Sequence, residues 1–281
     1  MAFATLVTVD ELATRLHDPL WCVFDCRHDL ADTAKGERAY RASHIPGARF
    51  AHLDRDLSGA KTGRNGRHPL PDAQAFANWL GRAGVDGTKQ VVAYDDAGGA
   101  FAARLWWLMR WLGHRSVAVL DGGFGVWLAA GQPTTAAPAV VAPMRFEGRP
   151  DPSMTVDAAW LEARLEQEDC RLVDARSPDR FRGENETIDP VAGHIPGAVN
   201  RFFKDNLDPQ GRFKPAPELR AAFETLAAGR PAFQIVNQCG SGVTACHNVL
   251  AMEIAGLRGS LLYPGSWSEW CSDPRRPVAK G

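Results

Sequence analysis

The sequence predicts an α/β protein built from two similar domains, each a mostly parallel sheet covered by helices on both faces. Three observations support this prediction: the length of the chain, an internal repeat, and the alternation of strand-like and helical patterns in each half. A typical domain holds about 100–200 residues, so a chain of 281 residues favours two domains over one. Each half is long enough to bury about two-thirds of its unfolded surface, which suffices for folding without disulfides or metals.

The chain carries an internal repeat. Three motifs occur twice in the same order, which indicates a tandem duplication. They are an apolar run ending in Asp-x-Arg (residues 23–27 and 172–176), the pentapeptide His-Ile-Pro-Gly-Ala (44–48 and 194–198) and a glycine with a tryptophan five residues after it (122–127 and 265–270). We therefore expect domains at residues 1–133 and 153–281, joined by an extended, semi-rigid, proline-rich linker at 134–152.

Strand-like runs and helical patterns alternate in both halves. The runs lie at residues 90–94, 116–120, 233–236 and 260–263, and the helical patterns at 101–112 and 243–257. The order strand, helix, strand predicts βαβ units and hence parallel strands. A parallel sheet is buried on both faces, so we expect helices on both sides of each sheet.

The composition excludes several classes of protein. Apolar residues make up 45% of the chain and charged residues 23%, as in globular domains. The 32 basic and 33 acidic side chains nearly cancel, so we expect no nucleic-acid partner. We expect no membrane association, because no apolar stretch approaches about 18 residues, and the start does not resemble a secretory signal. The six cysteines do not have the spacing of metal ligands, so we expect free thiols and no metal site. Free thiols are typical of a reducing, cytoplasmic setting, which we therefore expect for this chain.

One strand-to-helix turn carries a nucleophile. The strand at 233–236 leads into Cys-Gly-Ser-Gly-Val-Thr at Cys239–Thr244, and a helix follows. Two glycines allow the backbone amides to form an anion-binding nest, and with the helix N-terminus these amides should hold Cys239 as a reactive thiolate. The alternative is a small, buried, inert cysteine. Phosphoryl transfer is disfavoured, because Ala245 stands where a phosphate-clamping arginine would be needed.

This turn, the repeated pentapeptide and the glycine–tryptophan motif together resemble the tandem rhodanese-domain sulfurtransferases over nearly the whole chain. The loop is most similar to that of 3-mercaptopyruvate sulfurtransferases, since thiosulfate enzymes more often carry basic residues where this chain has Gly240 and Ser241. The resemblance implies that Cys239 takes sulfur from mercaptopyruvate as a persulfide. The sulfur then passes to a thiol, such as a thioredoxin-like protein or a small thiol, or to cyanide. No metal or organic cofactor is needed.

The resemblance also implies roles for the residues around the cysteine. The backbone amides of the loop suit the negative charge of the outer sulfur atom. The resemblance therefore implies that the substrate is bound by Gly240, Ser241, Gly242, Val243 and Thr244. In the first half, Asp96 stands at the position aligned with Cys239, 143 residues earlier. A carboxylate is no sulfur nucleophile, so the first domain is expected to be catalytically silent.

Arg180 stands at the position of a donor-binding arginine of the family. Its guanidinium group can hold a carboxylate through two parallel hydrogen bonds. Mercaptopyruvate enzymes often carry a second arginine nine residues further on, where this chain has Asp189. We therefore expect Arg180 alone to hold the donor carboxylate, and Asp189→Arg to lower KM. This departure leaves thiosulfate sulfurtransferase open as an alternative function. A non-catalytic sulfur-carrier module is a further alternative, although the intact Cys239 loop argues against it.

Some mercaptopyruvate enzymes are proposed to use an Asp, a His and the loop Ser as a proton relay, and the matching positions are Asp54, His68 and Ser241. Such a relay could manage the proton on the departing carbanion or enolate. The alternative is that His68 belongs to a structural His-Pro turn. The two Asp-x-Arg motifs, and likewise His44 and His194, occur in both halves, which favours a structural role for them over catalysis.

Overall fold

The computed structural model of the protein describes residues 2–165, 167 and 169–281. The chain divides into two compact units. Unit 1 comprises the chain up to Gly59, Pro71–Asp151 and Asp208–Phe213, and unit 2 comprises Ala60–Leu70, Pro152–Leu207 and Lys214–Gly281. Two short segments, Ala60–Leu70 and Asp208–Phe213, thus join the unit that is formed mainly by the other half of the chain.

Unit 1 is a parallel sheet with helices on its faces. Its strands are β1 (Leu6–Val7), β2 (Trp21–Asp25), β3 (Arg49–Phe50), β4 (Gln90–Tyr94) and β5 (Val117–Leu120). Its helices are α1 (Val9–Ala13), α2 (Lys35–Ala42), α3 (Ala73–Arg82), α4 (Ala102–Trp111) and α5 (Gly123–Ala129). The strand order is β1-β5-β4-β2-β3 and all pairs are parallel. Strand β4 is buried along its whole length, as expected for a strand covered on both faces.

Unit 2 repeats this plan with a smaller sheet. Its strands are β6 (Arg171–Asp174), β7 (Val199–Asn200), β8 (Ile235–Gln238) and β9 (Leu261–Leu262). Its helices are α6 (Ala158–Glu162), α7 (Pro178–Arg182), α8 (Ala216–Ala227), α9 (Thr244–Ile254) and α10 (Ser266–Trp270). The strand order is β7-β6-β8-β9, again with parallel pairs. The predicted architecture of two α/β domains with parallel sheets is confirmed.

Strand β8 begins and ends later than the sequence predicts. Phe233 lies in a short 3-10 helix, Ala232–Gln234, that follows Pro231, and the residue is 64% exposed. The strand continues instead through Asn237 and Gln238, which are polar but fully buried. Both residues pair with strand β6, so the sheet ladder rather than the apolar pattern sets the bounds of the strand.

The repeated Asp-x-Arg motifs form buried ion pairs at equivalent strand ends. In unit 1, Nη2 of Arg27 lies 2.6 Å from Oδ2 of Asp25, and in unit 2 the same atoms of Arg176 and Asp174 are also 2.6 Å apart. Each arginine additionally donates to a backbone carbonyl oxygen of its own unit. The pairs therefore brace the same strand end in both units.

The repeated histidines also have equivalent surroundings. The ring of His44 stacks on Tyr40 at 4.0 Å, and that of His194 stacks on Phe181 at 3.9 Å. In each case Nδ1 also lies within 2.8 Å of the carbonyl oxygen of the stacking partner. Both histidines thus serve the packing of their own unit.

The proline-rich segment before Pro152 lies along unit 1. The N–H of Met144 donates to the carbonyl oxygen of Gly81 (2.8 Å), and the N–H of Asp151 donates to that of Trp111 (2.9 Å). Phe146, between these contacts, is buried. Backbone bonds and one apolar anchor therefore hold this segment in an extended path.

Each unit has its own apolar core. Trp127 belongs to the core of unit 1, whereas Trp267 and Trp270 belong to that of unit 2. The indole N–H of Trp267 donates to the carbonyl oxygen of Val191 (2.9 Å), so its polar atom is satisfied inside the core.

In the part of the chain that the structure describes, every helix is too short or too polar to span a bilayer.

Candidate active site

The turn between β8 and α9 is held in one shape by a glycine and by helix α10. Gly242 has a φ of +76°, and a Cβ at this position would lie 2.2 Å from the carbonyl oxygen of Pro264, so only glycine fits. The N–H of Cys239 donates to Oγ of Ser266 (3.1 Å). In return, the N–H of Trp267 donates to the carbonyl oxygen of Cys239 (3.0 Å). Cys239 is therefore fixed between the end of β8 and the start of α9.

The sulfur atom of Cys239 lies in a protected, hydrogen-bonded position. The residue is only 2% exposed, and its Sγ accepts from the N–H of Ser241 at 3.5 Å. The loop residues Gly240–Val243 are buried and Thr244 is half-buried. An anion at this sulfur would thus be shielded from water and would face a backbone donor, which strengthens electrostatic interactions.

A buried arginine adds positive charge to this region. Arg176 pairs with Asp174 and lies over the ring of Trp267, with Cζ 5.0 Å from the ring centre. Burial opposes the charge on Arg176, but the carboxylates of Asp174 and Glu186 and, more weakly, the sulfur of Cys239 together raise the pKa of its guanidinium. The structural pair at this strand end therefore also contributes to the electrostatics of the cysteine.

The structure brings His68 and Ser241 together. Nδ1 of His68 lies 2.7 Å from Oγ of Ser241, and both side chains are buried. Although His68 precedes most of unit 1 in the sequence, its segment, Ala60–Leu70, belongs to unit 2. The N–H of Arg67 anchors this segment by donating to Oγ of Ser268 (3.0 Å). Two of the three predicted relay residues therefore form a direct contact beside Cys239.

Arg180 belongs to a cluster of arginines and carboxylates. Its Nε and Nη2 contact Glu186 at 3.1 Å and 2.9 Å, and its Nη2 also lies 3.2 Å from Oδ2 of Asp189. The other oxygen of Asp189 accepts from Nη1 of Arg67. Sequence patterns alone predict no role for Arg67, because a single arginine in a polar loop is not distinctive. The fold places it in this cluster, because residues 60–70 belong to unit 2.

Both guanidinium groups lie against Gly240, the residue that follows Cys239. A Cβ at Gly240 would be 2.8 Å from Nη2 of Arg67 and 3.6 Å from Nη2 of Arg180. A side chain at position 240 would occupy the space in front of these cations. Glycine therefore keeps that space open directly beside Cys239.

Asp54 lies in unit 1, where its Oδ2 is 3.9 Å from Nε2 of His28. Among the described residues, His28, His52 and Asp54 form a group whose potential metal-ligand atoms lie within 4.8 Å of one another. Nδ1 of His52, however, accepts from the N–H of Asp54 (3.1 Å), and its Nε2 lies 3.1 Å from the carbonyl oxygen of Thr33. A metal ion would have to displace one of these bonds, so this group does not fit a preformed three-ligand site.

The equivalent turn of unit 1 is filled by its own carboxylate. Oδ1 of Asp95 accepts from the N–H groups of Ala97 (2.8 Å) and Gly99 (2.9 Å). Oδ2 accepts from those of Phe101 and Ala102, both at 2.8 Å. The backbone donors that could receive an external anion are therefore already occupied. Asp96, at the position aligned with Cys239, is exposed beside them.

Comparisons with known proteins identify the family of the chain. The rhodanese-like domain family matches residues 8–130 and 157–273. A Pseudomonas aeruginosa protein named "Probable 3-mercaptopyruvate sulfurtransferase" is 52% identical over 283 residues, covering 100% of both chains. The thiosulfate sulfurtransferase of Mus musculus is 34% identical over 92% of this chain and 88% of its own. The solved 3-mercaptopyruvate sulfurtransferase from Leishmania major is 30% identical, with a TM-score of 0.82, over 95% of this chain and 74% of its own. The chain belongs to the rhodanese-like domain family and is a sulfurtransferase.

Proposed function

We propose that this sulfurtransferase takes sulfur from 3-mercaptopyruvate, carries it as a persulfide on Cys239 and passes it to a thiol acceptor. The observation that carries the proposal is the position of the Cys239 sulfur. It accepts from the N–H of Ser241, and the guanidinium groups of Arg67 and Arg180 lie against the adjacent Gly240. A nucleophilic sulfur beside two cations suits a donor that carries its transferable sulfur close to a carboxylate.

In the first step, the thiolate of Cys239 attacks the sulfur atom of mercaptopyruvate. An S–S bond forms and the C–S bond breaks, and the electron pair of the C–S bond stays on carbon as the enolate of pyruvate. The persulfide loses the proton of the donor thiol, while the enolate carbon gains one. Thiolate and mercaptopyruvate thus become ionised persulfide and pyruvate, with atoms and charge balanced.

We assign the movement of this proton to His68 and Ser241. Their contact of 2.7 Å places a hydroxyl group and an imidazole in series, and the N–H of the same serine meets the reacting sulfur. A positioned acid or base contributes about 10²–10⁴-fold to such a proton transfer. Asp54 is proposed as the third member of the relay, to be tested by substitution.

In the second step, an acceptor thiolate attacks the outer sulfur atom, the S–S bond breaks, and the thiolate of Cys239 is regenerated. Cyanide can replace the thiol in an assay and leaves as thiocyanate. A thioredoxin-like protein or a small thiol fits this acceptor chemistry. None of the six cysteines, all of which lie in the described part of the chain, forms a disulfide bond, which supports a reducing setting such as the cytoplasm. Unit 1 is proposed to be silent, because Asp95 occupies its turn.

The test is a side-by-side measurement of both sulfur donors. Mercaptopyruvate should give the higher kcat/KM, because the loop after Cys239 has the neutral side chain of Ser241, and the arginines beside it already share two carboxylates. Steady-state rates with cyanide as the common acceptor make the comparison direct. An equal or higher kcat/KM for thiosulfate would move the assignment to thiosulfate sulfurtransferase, the activity named for the murine relative.

A further inference from the structure

Ser268, near the start of helix α10, contacts two other segments of unit 2 at once. Its N–H donates to the carbonyl oxygen of Gly240 (2.9 Å), the residue after Cys239. Its Oγ accepts from the N–H of Arg67 at 3.0 Å, and the residue after Arg67 is His68. One serine therefore holds both the turn that carries the reacting sulfur and the segment that carries the histidine.

The hydroxyl group of Ser268 is oriented to accept a hydrogen bond. Its own proton is directed to the carbonyl oxygen of Gly265, which lies three residues earlier at 3.3 Å, a bond that serine often makes near a helix start. The lone pairs of Oγ are then left for the N–H of Arg67. Because Ser268 is half-buried, water can replace this contact only in part.

The packing against α10 continues at the residue before Arg67. Gly66 has a φ of +81°, and a Cβ there would lie 2.7 Å from the carbonyl oxygen of Gly265 and 3.2 Å from Oγ of Ser268. Gly63, in the same segment, has a φ of +82°, but a Cβ there would meet nothing within 4 Å. Both glycines thus suit their backbone conformation, whereas only Gly66 is also needed for the contact with α10.

Unit 1 lacks an equivalent hydroxyl group. The repeated glycine–tryptophan motif places Gly125 at the position of Ser268. The segment Asp208–Phe213, which joins unit 1, is held by a different group, since Oδ1 of Asp121 accepts from the N–H of Phe213 at 2.9 Å. The serine contact is thus particular to the unit that contains the proposed nucleophile.

We infer that Ser268 is a positioning residue for the proton step, and that it thereby favours mercaptopyruvate over thiosulfate as the sulfur donor. By holding Arg67, it keeps Nδ1 of His68 against Oγ of Ser241 (2.7 Å). Protonation of the departing carbon depends on this alignment, because a displacement of about 1 Å can lower a rate about 10²-fold. Thiosulfate leaves as sulfite, which needs no proton on carbon. The inference rests on the proposed function, since it takes His68 and Ser241 as the proton relay.

The first experiment measures kcat with each donor for Ser268→Ala and Ser268→Thr. Ser268→Ala removes the acceptor of the Arg67 N–H, so kcat with mercaptopyruvate should fall about 10- to 100-fold. With thiosulfate, kcat should stay within about threefold of the wild type. Ser268→Thr keeps a hydroxyl group at this position and should restore most of the mercaptopyruvate rate. An equal loss with both donors in Ser268→Ala would make this residue merely structural.

The second experiment compares Gly66→Ala with Gly63→Ala. Both substitutions place a side chain where φ is positive, so both carry the same backbone penalty. Only Gly66→Ala also pushes the segment away from α10, and it should lower kcat with mercaptopyruvate about tenfold or more. Gly63→Ala is the matched control and should stay within about twofold of the wild type. Equal rates for the two variants would contradict the role of this contact.

Amide hydrogen exchange separates this inference from the proposed function. The N–H of Arg67, followed by NMR, should exchange at least about tenfold faster in Ser268→Ala than in the wild type, because its acceptor is lost. This measurement needs no donor, so it tests the contact even if the wild type does not use mercaptopyruvate, a result that would overturn the proposed function itself. With a wild type that does use it, an unchanged kcat for mercaptopyruvate in a folded Ser268→Ala variant would overturn the inference.

Discussion

Cys239 differs from other cysteines of the chain in what surrounds its sulfur atom. Burial raises the thiol pKa of Cys22, Cys26 and Cys170, and raises that of Cys271 to about 11. Such thiols stay protonated and inert. The sulfur of Cys239 accepts the backbone N–H of Ser241 at 3.5 Å and lies close enough to Arg176 to contribute to the raised pKa of that guanidinium. Local donors and charge, rather than exposure, therefore distinguish the proposed nucleophile.

At the same scale, His68→Ala tests the proton relay. Mercaptopyruvate leaves a carbanion that must be protonated, whereas thiosulfate leaves sulfite, which needs no proton on carbon. The substitution should lower kcat with mercaptopyruvate about 10²–10⁴-fold and lower kcat with thiosulfate much less. The measurement is kcat with each donor for His68→Ala and Asp54→Asn beside the wild type. A change within about twofold with mercaptopyruvate would make His68 a structural residue.

The strand–turn–helix element occurs in both units, but a different group fills each turn. In unit 2, the turn after β8 presents a thiol to an N–H group. In unit 1, the turn after β4 folds four N–H groups around the carboxylate of Asp95. The turn after the equivalent strand thus directs backbone N–H groups toward one of its own side chains in both units, and we expect that side chain to decide whether an external anion can enter.

Asp95→Asn tests this interpretation of the unit 1 turn. The asparagine amide has one acceptor oxygen, so two buried N–H groups should lose their partner, at a cost of about 1–3 kcal/mol for each group. We expect a lower midpoint of denaturant unfolding and a persulfide-forming activity close to that of the wild type. The neighbouring, exposed Asp96 provides the control, since Asp96→Asn should change stability by no more than about 0.5 kcal/mol. Equal stability of the two variants would show that the carboxylate does not hold the turn.

For the whole molecule, the repeated motifs were sufficient to predict two α/β units with parallel sheets, because each motif occupies the same strand end or helix start in both. Local patterns did not reveal which unit the segment Ala60–Leu70 joins. That choice depends on contacts distant in sequence, such as the bond from Arg67 to Ser268. Motifs were therefore sufficient to single out Cys239 and Arg180 as candidates, whereas the contact of Arg67 with Asp189 could be seen only in the tertiary structure.

The most direct test of the proposed function is the mass of the peptide that contains Cys239 after incubation with mercaptopyruvate and no acceptor. The wild type should gain one sulfur atom, about 32 Da, on Cys239, and a thiol reductant should remove it. Cys239→Ser, in which the fold should persist, should gain no mass and transfer no sulfur. A sulfur adduct on another cysteine, or substantial turnover by Cys239→Ser, would contradict the proposal that this cysteine carries the sulfur.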